Sequence, residues 1–117
     1  MRRIAQIIQL NPEREAGYIR YHQQVGPAVL AIIAACRITN YSFFLRNGLL
    51  FSYFEYHGTD YEQDMARMAV CLDTQRWWSI MDPMQVQMPD SLPGEKWSGM
   101  REVFHFEPAS TTETENN

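Results

Sequence analysis

Asn47-Gly48 is the feature that most restricts what this chain can fold into. The pair accepts positive φ at both central positions of a tight turn, and it lies between two runs rich in Phe, Tyr and Leu, residues 41 to 46 and 49 to 56. Two such runs joined by that pair form a β-hairpin. Upstream, residues 3 to 10 are apolar and β-branched. Asn11-Pro12-Glu13 follows as an N-cap, a proline at the first helical position and an early acid, so a strand passes into a helix. Between 12 and 36, Tyr18, His22, Val25, Val29, Ile32, Ile33 and Cys36 recur at spacings of three and four, giving one stripe of an amphipathic helix that faces a sheet. Gly26-Pro27 interrupts the stripe, because a proline lacks the amide donor and collides with the preceding turn; a kink or restart is expected there.

Beyond the hairpin, Thr59-Asp60-Tyr61-Glu62 reads as a capping box. Met65, Met68, Ala69 and Leu72 give a second amphipathic helix, followed by a short aromatic segment from Gln75 to Met81. Residues 82 to 100 contain Pro83, Pro89, Pro93, Gly94 and Gly99 without periodicity and read as a long loop, functional or disordered. Arg101 to Phe106 reads as a closing strand, and from 108 to 117 the chain carries no apolar anchor, so a disordered tail is expected after a single domain over 1–107. The order strand, helix, strand, strand, helix, strand is that of an α+β, ferredoxin-like (βαββαβ) antiparallel sheet with both helices on one face. The other face needs cover, and Phe43 and Phe51 suggest burial against a second copy or beneath the long loop.

Composition narrows the partners. At 117 residues with 45% hydrophobic and 13% aromatic content, the chain holds more rings than a modest core needs, which favours a homo-oligomer. The net charge is −4, with a single lysine and dispersed arginines, so no basic stripe exists to neutralise phosphates and nucleic acid is not an expected partner. Cys36 and Cys71 lie in apolar surroundings without a CxxC pair, which reads as buried free thiols in a cytoplasmic protein. No run approaches membrane-spanning length and the opening residues lack a signal-peptide pattern, so neither export nor a membrane is expected.

The chain has no dinucleotide or phosphate loop, no nucleophile elbow, and no metal spacing among His22, His57 and His105; a cofactor or metal is not expected. What remains is one histidine among polar-tipped aromatics, a set suited to a neutral polyhydroxylated ligand. Tyr18 and His22, four apart, stack on one helix face, although spacing alone favours the plainer reading of His22 as a satisfied core histidine. Strand alternation aims Tyr41 to the same side as Phe43 and Leu45, as fitting for core as for a site. Trp77 and Trp78 diverge by about 100° on a helix, so one of them borders a cleft or an interface.

The ordered set Asn11-Pro12, Tyr18, His22, Pro27, Asn40-Tyr41, Gln75-Arg76-Trp77-Trp78 and Arg101-Glu102-Val103-Phe104 resembles the L-rhamnose mutarotase family over essentially the whole domain. The resemblance implies a dimeric α+β barrel that interconverts α and β anomers of L-rhamnose, or of a related deoxy-hexose, by acid–base ring opening and closure. It implies His22 as the proton donor, with Tyr18, Tyr41, Trp77 and Trp78 binding the monosaccharide. Where the family places a tryptophan before the proline and a glutamate after it, this chain has Gly26-Pro27-Ala28, which makes L-fucose or another deoxy-hexose an alternative substrate. A cofactor-free monooxygenase on the same dimeric architecture and a non-catalytic sugar-binding dimer are the competing readings.

Overall fold

The computed structural model describes residues 1–108; the expected tail falls, after Pro108, outside the described residues. Strand β1 (Arg2–Leu10) leads through a 3-10 turn at Pro12–Arg14 into helix α1 (Glu15–His22), and helix α2 (Pro27–Ala35) returns the chain to β2 (Ile38–Arg46) and β3 (Leu49–Tyr56). Helices α3 (Tyr61–Val70) and α4 (Leu72–Met81) follow. A second 3-10 turn, Asp82–Met84, leads to β4 (Gln85–Val86), and β5 (Ser98–Met100) comes last. The sheet is antiparallel throughout, in the order β2-β3-β1, with β4 and β5 sharing the far edge of β1. This is the expected ferredoxin-like arrangement.

Local chemistry accounts for most of the boundaries. Asn47 and Gly48 take φ of 50° and 73°, closing the hairpin as a two-residue turn between paired Arg46 and Leu49. The Asn11 side chain accepts from the Glu13 amide, and Pro12 follows in the first turn. The long helix expected over 12 to 36 breaks after His22 and restarts at Pro27 with Gly26 as its N-cap, because proline is favourable at a first helical position and costly inside.

Four expectations are corrected. The cap of α3 is Asp60, whose side chain accepts from the Gln63 amide, one residue later than the Thr59 box placed it. The aromatic segment is a full helix, α4, beginning where the chain turns extended at Cys71. The closing strand spans Ser98–Met100, not 101 to 106. The chain leaves the ladder after Met100, although Ile4, Arg3 and Arg2 of β1 extend past its last pair, Ala5 with Met100: Arg3 and Glu102 form an ion pair at 2.7 Å, and Val103, Phe104 and Phe106 are exposed. Cys36 is buried while Cys71 is only partly so, and both are free thiols.

The faces of the sheet are set by parity. Ile4, Gln6, Ile8 and Leu10 of β1 and Leu50, Ser52, Phe54 and Tyr56 of β3 turn towards the helices. In β2 the pairing slips between Thr39 and Ser42, and Asn40 there takes φ of 51°. This bulge places two residues opposite one. It lets Ile38 and the later Tyr41, Phe43 and Leu45 all face the helices, although uninterrupted alternation would put 38 and 41 on opposite sides. Phe43 pairs with Ser52 and Phe44 with Phe51, so the open face carries Phe44 with Phe51, not Phe43. Two core clusters result: Ile8, Leu10, Tyr18, Leu50, Met81 and Met84 at one end, and Cys36, Ile38, Phe54, Tyr56 and Met68 at the other.

Asn tolerates the left-handed region that a β-branched residue does not. Both variants lose the exposed bond that Asn40 Nδ2 donates to Glu55 at 2.7 Å, so Asn40→Val, which adds backbone strain, lowers stability by about 1–3 kcal/mol more than Asn40→Gly, as read by urea unfolding. Equal losses for both variants would remove the backbone conformation as the reason for an asparagine there.

Candidate active site

Between the two core clusters the helices stand off the sheet, leaving a cavity of about 460 Å³. Its walls include all five residues singled out in the sequence: Tyr18, His22, Tyr41, Trp77 and Trp78. Helix α1 supplies the first two. Their spacing of four stacks the rings with centroids 4.4 Å apart and planes at 29°. The His22 ring also meets Phe43 and Trp77 edge-on, each with centroids at 5.2 Å, so it is held on three sides by aromatic surface.

A hydrogen bond fixes the protonation pattern of that ring. Nδ1 of His22 lies 2.8 Å from the Tyr18 carbonyl oxygen. A carbonyl only accepts, so Nδ1 carries hydrogen, and in the neutral imidazole Nε2 is left with its lone pair. Burial lowers the His22 pKa below its ordinary 6.5, the bond to the Tyr18 carbonyl opposing part of the shift. The ring is neutral at pH 7 and basic at Nε2.

Tyr18 is 3 % exposed, and its hydroxyl accepts from the Gln85 amide at 3.0 Å, leaving its own hydrogen free to donate. Burial raises its pKa, with the Gln85 bond opposing and the Asp82 charge adding. Tyr41 keeps part of its ring exposed but turns its hydroxyl inward. Burial there pushes the pKa far above the usual 10, with Tyr18 and Tyr61 adding. Both phenols therefore stay protonated across the physiological range. Trp77 packs against the first core cluster, whereas Trp78 is 39 % exposed and borders the cavity mouth, the divergence expected of adjacent helical residues.

Several lining residues escaped the sequence reading. Gln6 interrupts the otherwise apolar inward row of β1, a signal available once that strand's parity is known. Tyr61 opens α3 and Gln85 forms β4. Asp82, Lys96 and Trp97 come from the stretch read as a loop, where no periodicity pointed inward. That stretch is anchored: Lys96 pairs with Asp82, Trp97 stacks on Phe43 at 5.8 Å, and the Glu95 carboxylate accepts from the Leu92 and Gly99 amides. Among the described residues no group of three or more His, Cys, Asp or Glu is placed to hold a metal ion.

Fold and cavity together define an α+β, ferredoxin-like protein with a preformed aromatic pocket around one neutral histidine. Residues 3–106 match the family profile described as L-rhamnose mutarotase. Proteins named L-rhamnose mutarotase from Yersinia pestis (strain Pestoides F) and Yersinia pseudotuberculosis serotype O:1b are each 32% identical over 109 residues, covering 92% of this chain and 100% of theirs. The crystal structure of an L-rhamnose mutarotase from Formosa agariphila superposes with a TM-score of 0.72 at 22% identity, over 92% of this chain and 100% of that one, a likeness of fold. The chain belongs to the L-rhamnose mutarotase family, isomerases that interconvert the anomers of L-rhamnose.

Proposed function

We propose that His22 carries the proton in this chain's mutarotation of L-rhamnose, with Tyr18, Tyr41, Trp77 and Trp78 holding the sugar. The observation that carries this reading is the His22 Nδ1 bond to the Tyr18 carbonyl, which leaves Nε2 as a base inside an aromatic cavity. Ring opening requires one proton to leave the anomeric hydroxyl and one to reach the ring oxygen. Those oxygens share the anomeric carbon, so a single Nε2 serves both. It takes the anomeric hydroxyl proton, the C–O ring bond breaks as the carbonyl forms, and the imidazolium returns the proton to the former ring oxygen. Rotation about C1–C2 and the reverse sequence close the other anomer, with no net proton change. His22 is thus a base first and a donor second. The Tyr18 and Tyr41 hydroxyls donate to sugar oxygens, and the indoles cover the apolar C–H face and the deoxy carbon.

The working unit in this proposal is a homodimer in the cytoplasm. The sheet face away from the helices carries Phe44 and Phe51, and Val103, Phe104 and Phe106 are exposed beyond the last strand, an apolar surface that a second copy would cover. The two free thiols suit a reducing compartment.

Exchange NMR on L-rhamnose tests the chemistry. His22→Ala lowers the rate of anomer exchange by about 10²–10⁴ with the fold retained, and an undiminished rate removes His22 from the reaction. In the unmodified enzyme kcat/KM falls on the acid side with a midpoint below pH 6.5, because protonating Nε2 removes the base and burial has lowered that pKa; a midpoint above 6.5 contradicts the assignment. Sedimentation equilibrium gives twice the mass of 13.7 kDa, and Phe44→Glu shifts it towards one.

A further inference from the structure

A second cavity of about 440 Å³ adjoins the first, and His22, Tyr41, Trp77 and Trp78 belong to the walls of both. Its remaining lining differs in character. Val25, Val29, Leu30 and Ile33 come from the end of the α1–α2 break and from α2, forming an aliphatic wall with no charged group. Thr74 of α4 completes the lining with its carbon atoms, its hydroxyl oxygen being closed off from the chamber. Water gains little from an aliphatic wall, and an apolar group that displaces it is favoured there.

Pockets of roughly 300–1,000 Å³ accommodate drug-sized ligands, so one monosaccharide beside His22 leaves this second space unfilled. Resting on the mutarotase reading, we infer that this chamber is a subsite for an apolar substituent on the sugar, so that the enzyme acts on deoxy-hexoses with a free anomeric hydroxyl and an O-alkyl group. The alkyl carbons lie on Val25, Val29 and Ile33. The shared indoles make the two spaces one site, in which the ring end meets the polar groups and the substituent end meets the aliphatic wall. Leu30, 53 % exposed, sits at the outer rim.

The test compares L-rhamnose with its 2-O-, 3-O- and 4-O-methyl, ethyl and propyl ethers in the same exchange assay on the full chain. In one positional series KM falls about fourfold for each added carbon, the gain from burying one methylene. Leu30→Glu, on an exposed helix surface where folding tolerates it, and Val29→Phe, which fills the space, both abolish that trend and leave L-rhamnose kinetics unchanged. A KM that is flat or rises in all three series overturns the subsite, as it would if a residue of a second copy fills the chamber. A trend that survives both variants also overturns it. Absence of any acceleration with L-rhamnose itself is a separate result that removes the mutarotase reading and the subsite with it.

Discussion

The β-bulge at Asn40-Tyr41 is the constraint on which the interior depends. Strand alternation allows a strand to give one face to the core, and β2 must give that face Ile38 for one cluster and Leu45 for the other. Those positions differ by seven, an odd number that an unbroken strand cannot reconcile. One extra residue at φ 51° changes the parity, and the residues just after it, Tyr41 and Phe43, turn onto the helix side where the cavity forms. The same feature that completes the core therefore delivers two walls of the site.

The opposite wall depends on a second interruption. Pro27 forbids one continuous helix, and the break after His22 separates α1 from α2. His22 ends α1, close enough to the Tyr18 carbonyl for its ring to take a backbone partner. Burial keeps the ring neutral and the carbonyl selects which nitrogen bears hydrogen, so position and protonation pattern both follow from helix geometry. Gln85 performs the parallel task for Tyr18, occupying an acceptor site on its hydroxyl and leaving the hydrogen for a ligand.

Much of this was legible in the residues. Asn47-Gly48 located the hairpin, Asn11-Pro12 and Gly26-Pro27 the first helical boundaries, and the i, i+4 spacing put Tyr18 beside His22. The illegible parts share a physical cause: they depend on partners distant in sequence. The bulge changes which of Phe43 and Phe44 faces inward, and within β2 only Asn40, a residue tolerant of positive φ, hints at it. The closing strand lies at Ser98–Met100 although 101 to 106 has the more strand-like composition, because which residues pair is decided by their partners on β1, Ala5 to Ile7. The inward side chains of 82 to 97 are held by Glu95 carboxylate bonds and the Lys96–Asp82 pair, contacts without periodicity. Gln6 was visible only as a polar residue in an apolar run.

The protonation pattern of His22 is the centre of the account, and ¹⁵N NMR of its imidazole in the free protein at pH 7 tests it most directly. The expected result is a neutral ring with hydrogen on Nδ1 and an unprotonated Nε2. A ring with hydrogen on Nε2 alone, or an imidazolium at that pH, would contradict it.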